Sequence, residues 1–319
     1  MGRPGRVIVT GGAGFIGSHV VERLEADGWR VGVVDDLSTG RAANVPASCE
    51  LIRADVRSPE AGRFIETFGA EAVAHLAAQV SVAASVRDPG HDLSVNVLGT
   101  VAVVQACARG GVRRVVLASS AAVYGMPACL PVDERHPLLP VSPYGASKLA
   151  AEHYLRVMAQ QAGIGWVALR YANVYGPRQS ADGEAGVVAR WMALLEAGRP
   201  LVVHGDGQQS RDFVFVDDVA EATARALTAE TACNCALNIG TGLASRVLDL
   251  ADALWSAAGK EGPPPLTFAP PRPGDIRHSR LDARKAERLL GWRARISLEQ
   301  GLRQMVARRQ AARAAGEGD

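Results

Sequence analysis

A doubly wound α/β fold with a parallel sheet is the fold class this chain predicts. Three observations carry it. The chain opens on a short apolar strand that runs straight into a glycine-rich turn and a helix. Further short apolar segments recur between helical stretches. Those segments are apolar throughout rather than alternating. Strands alternating with helices are βαβ units, which build parallel sheets. Near-continuous apolar strands fit a sheet covered on both faces.

Arg6-Val7-Ile8-Val9-Thr10 is the first strand, and a helical pattern follows from Phe15 to Asp27, ended by Gly28. Val31 to Val34, Leu51-Ile52, Ala72 to Leu76, Val115 to Ala118 and Trp166 to Leu169 read as further strands. Beyond about residue 175 the texture is loopier, with Pro177, Pro200, Gly205-Asp206-Gly207 and Pro263-Pro264-Pro265. The division expected is 1–174 for the first domain and 175–319 for a smaller α+β domain, with segments near 214–240 returning to the first. Leu298 to Arg313 reads as a basic amphipathic helix.

Composition narrows the function classes. Among 319 residues, 48% are hydrophobic and 21% charged, as in ordinary globular chains, and the net charge of +2 gives no pull toward nucleic acid. No apolar run reaches the length of a membrane span, and the first strand begins too early for a leader, so a cytoplasmic protein without membrane attachment is expected. The five cysteines lack the spacing of a metal site and read as reduced thiols, so no metal is expected. Of 35 basic residues only Lys148, Lys260 and Lys285 are lysine.

The glycine-rich turn, Thr10-Gly11-Gly12-Ala13-Gly14-Phe15-Ile16-Gly17, satisfies G-x-x-G-x-x-G through Gly11, Gly14 and Gly17. Glycines allow a tight turn and close approach of backbone to a pyrophosphate, and the helix start offers N–H donors and a positive dipole. Its place between the first strand and the first helix is the context that gives this motif its meaning, a Rossmann-type dinucleotide site. Asp35-Asp36 stands at the end of the second strand. An acid there accepts from ribose hydroxyls and repels a 2′-phosphate, which favours NAD over NADP. Asp35 is the better candidate; Asp36 is read equally as a loop cap. Asp55, after the third strand, is a candidate for adenine, with a helix N-cap before Ser58-Pro59 as the competing role.

Tyr144-Gly145-Ala146-Ser147-Lys148 carries the chemistry. Tyr144 and Lys148, at i and i+4, share one helix face. A phenol ionises near pH ~10 when unperturbed, and a nearby cation lowers that by about 1–3 units. Lys148 and the positive nicotinamide ring of a bound dinucleotide are both expected to do this, and Tyr144 to act as acid and base near neutral pH. Ser119-Ser120 lies where a strand ends, the edge at which such folds hold ligands. Ser120 is the candidate for passing a proton to Tyr144, with Ser119 as the rival.

Together these residues resemble the extended branch of the short-chain dehydrogenase/reductases, the NAD-dependent epimerase/dehydratase family, over nearly the whole chain. His75-Leu76-Ala77-Ala78-Gln79, Asn96 and the Tyr144/Lys148 pair match its cofactor domain. The resemblance implies that Phe15, Ile16, Asp35, Asp55, Val56, Asn96 and Lys148 touch NAD. It extends the cofactor site to Asp36, Leu37, Ser38, Thr39, Gly40, Leu76, Ala77, Ala78, Gln79, Ser119, Tyr144, Tyr171 and Ala172. Within that family the chain resembles the bacterial UDP-glucose 4-epimerases. The matching stretches are Asp35 to Gly40, Leu169 to Gln179, Gly183 to Val188, Gly205 to Phe213 and Arg272-Pro273-Gly274-Asp275. This implies that Asn173, Arg211 and Arg272 bind a diphosphate and Asp275 a ribose. Gly186, Val187, Val188, Val203, His204 and Phe213 would line the nucleotide-sugar site beside Ser120 and Tyr144. Arginine forks suit phosphate oxygens; Arg178, Arg190 and Arg199 read as surface residues.

Sugar 4,6-dehydratases of this branch need an acid pair just after the catalytic hydroxyl. Here Ala121 and Ala122 stand there, so inversion at C4 of a UDP-sugar through a 4-keto intermediate is expected. Ser279, small where the family often has a gate, leaves room for an N-acetyl group at C2. UDP-glucuronate 4-epimerase, a sugar dehydrogenase with net turnover, and a non-catalytic NAD-binding redox regulator are the rival readings. The resemblance also implies a homodimer through a four-helix bundle of the helices around His91 to Arg109 and Ser147 to Gln161, the second offering Ala146, Ala150, Ala151 and Leu155.

Overall fold

A computed structural model describes residues 5–181, 186–230, 234–271 and 275–314. Seven parallel strands form the central sheet. In chain order they start with β1 (Arg6–Thr10), β2 (Arg30–Asp35), β3 (Glu50–Arg53), β4 (Ala72–His75), β5 (Arg114–Ser120) and β6 (Gly165–Tyr171). The short strands β7 (Asn173–Tyr175), β8 (Leu201–His204), β9 (Ser210–Arg211) and β10 (Phe213–Phe215) follow, and then β11 (Cys235–Ile239) completes the large sheet. The sheet order is β3-β2-β1-β4-β5-β6-β11. Its direction of growth reverses between β1 and β4, and a crevice at such a reversal is where open α/β sheets bind ligands.

The reason for this arrangement is visible in β1. Val7 and Val9 point to one face and Ile8 to the other, all fully buried. On the first face Val7, Val9, Val31, Val33, Val116 and Leu169 pack under α1 (Phe15–Ala26) and a later helix, Val216–Thr228. On the second, Ile8, Val73, Val115, Leu117 and Trp166 pack under α2 (Pro59–Thr67) and two further helices. Between α2 and the fifth strand lie α3 (Val82–Arg87), α4 (Pro89–Leu93), a π-helical turn Ser94–Leu98 and α5 (Gly99–Arg109). α6 (Pro143–Gln161) follows β5, starting on Ser142, whose hydroxyl caps Gly145 N, with Pro143 in its first turn.

The rest of the chain has its own core. α7 (Val187–Glu196), α8 (Val216–Thr228), α9 (Val247–Ala257), α10 (Arg284–Leu290) and α11 (Leu298–Ala314) alternate with the short strands, β12 (Ser245–Arg246) and β13 (Leu266–Ala269) among them. Trp191, Val203, Phe215, Leu250 and Leu302 form the cluster. Leu302, Met305 and Val306 face inward from α11, the apolar stripe that its sequence shows. α8 lies against α1 and the large sheet instead, and β11 pairs with β6 from Cys235↔Val167 to Ile239↔Tyr171. Among the described residues no helix is long and apolar enough to cross a membrane, and no group of three or more His, Cys, Asp or Glu could hold a metal ion. Cys49, Cys107, Cys129 and Cys235 form no disulfide; Cys233 lies outside the described residues.

Candidate active site

The glycine turn sits at the end of β1, at the sheet's reversal. Gly11 takes φ +70°, in the left-handed region that suits glycine. A side chain on Gly11 would meet Ala77 N at 2.7 Å, and one on Gly17 would lie 1.9 Å from Gly11 O. Gly14 differs. A side chain there would meet only Gly11 O, at 3.3 Å, so its other sides are open. It caps α1, leaving the N–H groups of the first turn, Phe15 and Ile16 among them, at an open helix start. That cradle fits a pyrophosphate.

Asp35 closes β2, and its carboxylate reaches back to the turn. Ala13 N donates to Oδ2 at 2.9 Å and Leu37 N to Oδ1 at 2.8 Å. Burial pushes its carboxyl above the ordinary value, against the pull of these two donors. Each oxygen keeps a lone pair for a further donor, the capacity a ribose diol needs. Asp36 points to solvent and caps its own loop, accepting from Ser38 N at 2.9 Å and Ser38 Oγ at 2.6 Å. Leu37 takes φ +60° in that loop. Ser38 and Thr39 continue that loop to Gly40, which lies against Ala13 of the glycine turn, and Arg41 N donates to Ala13 O at 3.1 Å.

Asp55 is not the cap of α2. Ser58 takes that role, accepting from Ala61 N, while Asp55 pairs with Arg57, which holds its carboxyl below the usual range. Val56 is buried in the second-face core. Leu76 and Ala77 hang from Thr10, Leu76 N donating to Thr10 O at 3.0 Å and Ala77 N to Thr10 Oγ1 at 3.3 Å. Ala78 follows, and Gln79 N donates to Asn96 Oδ1 at 2.9 Å. Asn96, on the π-helical turn, donates to Ser147 Oγ at 3.0 Å and to Gln79 O at 3.1 Å. Single π turns recur at functional sites, and this one aims Asn96 across at α6.

The two serines differ in their surroundings. Ser120 Oγ accepts from Ala122 N at 3.1 Å and lies close enough to the Tyr144 hydroxyl to draw its ionisation downward. Ser119 turns inward and donates to Glu152, which also pairs with Arg170 through bonds of 3.0 and 2.7 Å. Tyr144 N donates to Ser85 Oγ, and Lys148 Nζ to Ala118 O at 2.9 Å. Among the protein's own groups burial dominates at Tyr144. Burial pushes the phenol up to about 12, the Ser120 bond opposing and the Asp92 charge reinforcing. Burial pulls the Lys148 ammonium down to about 8, with Asp92 and Glu152 opposing.

Several predicted positions contribute backbone or core rather than an open side chain. Tyr171 is buried, its hydroxyl paired with Thr223 Oγ1 at 2.9 Å, and Ala172 N donates to Ile239 O. Val188, Val203 and Phe213 are buried in the C-terminal core and Val187 packs against it, while Gly186 is exposed. His204 Nδ1 lies 3.2 Å from Pro270 O. Asn173 is exposed on β7. Arg211 and Asp275, expected to meet different parts of one ligand, are an ion pair, and Ser279 N donates to Ser210 O. Arg272, with Gly183, Glu184 and Ala185 of the matched stretch, lies outside the described residues.

Arg178, read as a surface residue, is partly buried at the surface and acts as a clamp. It holds Glu22 at 2.6 and 2.7 Å and donates to His19 Nε2, because φ +67° turns it back onto α1. Sequence reasoning missed Asp92, Glu152 and Asp212. Asp212, buried, accepts from Thr241, Gly242 and Leu281 and so ties three segments together. The other two left a signal: Asp92 precedes Asn96 by four residues, and Glu152 follows Lys148 by four, on shared helix faces.

Comparison with known proteins agrees with this geometry. Residues 7–240 match the family described as NAD dependent epimerase/dehydratase. A UDP-glucose 4-epimerase of Mycolicibacterium smegmatis is 43% identical, over 94% of this chain and 97% of its own length. The solved UDP-glucose 4-epimerase of Thermotoga maritima with UDP-glucose superposes at TM-score 0.91, with 39% identity over 96% of this chain and 99% of that one. The Thermus thermophilus UDP-glucose 4-epimerase complex with NAD gives 0.89, with 44% identity over 96% and 99%. With likeness of this extent over both lobes, and with the glycine cradle and the Tyr144/Lys148 helix in place, the chain belongs to the NAD-dependent epimerase/dehydratase family.

Proposed function

We propose that this protein is an NAD-dependent 4-epimerase that interconverts UDP-galactose and UDP-glucose. The observation that carries the reading is the Tyr144/Lys148 helix docked on the end of β5, with Lys148 Nζ on Ala118 O, Ser120 near the Tyr144 hydroxyl, and alanine at 121 and 122. Bound NAD supplies the hydride acceptor and a positive charge. Tyr144 takes the O4 proton through Ser120 as C4 becomes a ketone, and returns it after the keto sugar has presented its other face. A pocket with no carboxylate after Ser120 has no group to draw water out across C5 and C6. Lys148, held on Ala118 O, keeps two N–H donors for ribose hydroxyls. Asp35 accepts the adenosine ribose, and Arg211, Asn173, Arg272 and Asp275 hold the nucleotide. Anchoring there, away from C4, leaves the sugar free to turn.

Residues 1–174 with the returning α8 and β11 then form the cofactor domain, and the remainder of 175–319 the nucleotide-sugar domain. The small Ser279 supports activity on UDP-N-acetylhexosamines. The homodimer reading is supported by exposed Leu93, Leu98, Tyr154 and Val157 on α4 to α6. Of the four residues expected on that face, Ala146 is exposed and Ala150 half-buried, while Ala151 and Leu155 are buried in the chain's own core.

The test is incubation with UDP-galactose, UDP-N-acetylgalactosamine and UDP-glucuronate, with products separated by chromatography and Tyr144→Phe run alongside. UDP-glucose from UDP-galactose, lost by at least about 10³-fold in the variant, is the expected result. Reaction of UDP-glucuronate alone would move the substrate to a uronate, and no reaction of an NAD-loaded protein would leave a non-catalytic NAD-binding regulator.

A further inference from the structure

Asp92 lies outside every role assigned above. It sits on α4 and is 1% exposed. Its Oδ1 accepts from Gln79 Nε2 at 2.7 Å and Asn96 Nδ2 at 3.2 Å. Its Oδ2 is equally buried and has no hydrogen-bond partner. A buried carboxylate with one unpaired oxygen is costly unless a positive charge stands nearby. Lys148, 4% exposed, is the buried cation at hand: Asn96 Nδ2 joins Asp92 Oδ1, at 3.2 Å, to Ser147 Oγ, at 3.0 Å, the residue before Lys148 on α6.

We infer that Asp92 is a positioning residue for the Tyr144–Lys148 pair: its carboxylate holds the Lys148 ammonium in its charged form and clamps Gln79 and Asn96 beside it. The inference rests on the reading of Tyr144 and Lys148 given above.

The charged and titratable groups around Lys148 are few. Asp92 faces it from α4 and Glu152 from the next turn of α6, both favouring the ammonium. His75 on β4 is buried and neutral, held down to about 3. Tyr144 is on the same helix and feels Asp92 as well, in the direction that keeps the phenol protonated. Glu152 is already engaged by Arg170 and Ser119. Asp92 has a free oxygen and no cation of its own, so it is the less compensated of the two. Its loss lowers the pH at which Lys148 gives up its proton and the pH at which Tyr144 ionises, so both limbs of the activity profile move the same way. The Asn96 bonds to Gln79 and Ser147 carry the mechanical part of the role, joining the loop after β4 to the helix that bears Tyr144 and Lys148.

The chain's three lysines make the test direct. In the full chain with lysine carrying a ¹³C label at Cε, three resonances are followed against pH, with Lys260→Arg and Lys285→Arg for assignment. The Lys148 resonance titrates near 8 in the unaltered protein. In Asp92→Asn, which keeps the shape and an acceptor oxygen, the midpoint falls by about one pH unit or more. The basic limb of kcat for UDP-galactose in the NAD-loaded enzyme moves the same way, while KM changes less than about threefold. Asp92→Glu, which keeps the charge, restores the Lys148 titration, and Asp92→Ser stands in if the amide does not fold. An unmoved Lys148 midpoint in the neutral variants overturns the inference, even where turnover or thermal stability falls. Because the titration needs no turnover, a Tyr144→Phe enzyme that stays active refutes the catalytic reading separately.

Discussion

Two glycines of one motif should fail differently when given a methyl group. In Gly17→Ala the new Cβ would lie 1.9 Å from Gly11 O, 2.8 Å from Gly11 C and 2.9 Å from Gly12 Cα, all backbone atoms. Relieving the first contact requires opening the turn by about 1.5 Å, to ordinary van der Waals separation. The turn is stitched by Gly11 N to Val34 O, Gly14 N to Gly11 O, Ser18 N to Gly14 O and Ala13 N to Asp35. Losing one or two of these at about 1 kcal/mol each, with the strain of overpacking, gives about 2–4 kcal/mol. In Gly14→Ala the methyl group meets only Gly11 O at 3.3 Å, a contact the chain absorbs with a small shift. That methyl occupies the space from which a pyrophosphate approaches the start of α1. Thermal unfolding of the cofactor-free protein and calorimetric titration with NAD separate the two effects. Gly17→Ala should melt about 4–8 °C lower and bind NAD poorly. Gly14→Ala should melt within about a degree of the parent and lose affinity about 10–100-fold, or ~1.4–2.8 kcal/mol. Unchanged NAD affinity in Gly14→Ala would refute the cradle, and an unchanged melting point in Gly17→Ala would refute the crowding argument.

Other perturbations test the site's supports. His75, between Thr10 Oγ1 at 2.7 Å and Thr100 Oγ1 at 3.2 Å, is held neutral by burial down to about 3. Its folded value lies below the ordinary ~6.5, so its contribution is complete above pH ~6.5 and is lost as pH falls toward 3. The slope is about 1.4 kcal/mol per pH unit. Urea titrations from pH 7 to 4 should show that slope flattened in His75→Asn, and parallel curves would exclude the assignment. Arg170→Met leaves Glu152 buried and unpaired and should cost about 3–5 kcal/mol in urea unfolding. Arg170→Met with Glu152→Leu should recover much of that; a double variant no better than the single one would remove the ion pair as the cause. Leu98→Glu with Tyr154→Glu should give a monomer by sedimentation equilibrium while the far-ultraviolet spectrum is kept, and an unaltered mass would place the interface elsewhere.

What could be read in advance was what is local. The strand, turn and helix from Arg6 to Ala26 carry their own periodicities, and the glycine motif is contiguous, so its position followed directly. Tyr144 and Lys148 are four residues apart on one helix and were legible for the same reason. The serine choice was not, because it turns on Glu152, thirty-three residues from Ser119. Tyr171 is adjacent to the site in sequence, yet its ring belongs to the core through Thr223, fifty-two residues away. Arg178 read as surface because Glu22, its partner, lies 156 residues earlier. Asp92 had a signal in its spacing to Asn96, but an acid near the start of a short helix reads first as a solvated or capping group. Only burial distinguishes it.

The placement of the buried charges also bears on why Tyr144 alone cannot serve as a base. Burial and the Asp92 charge keep the phenol protonated, against the pull of the Ser120 hydroxyl. Lys148 is itself drawn toward neutrality. On the reading proposed above, such an arrangement would keep the tyrosine protonated until a further positive charge arrived, and the oxidised nicotinamide ring of bound NAD would supply it. Proton abstraction from O4 would then be coupled to the oxidation state of the cofactor. With the ring reduced and uncharged, the phenol would again be the stable form, and its proton would be available to the returning 4-keto sugar. A single group can therefore act as base and acid in one cycle without a change of solution pH. The acid limb of kcat should accordingly report the NAD⁺ complex and lie well below the phenol's value in the free protein, a difference that ultraviolet titration of the phenol with and without NAD would measure.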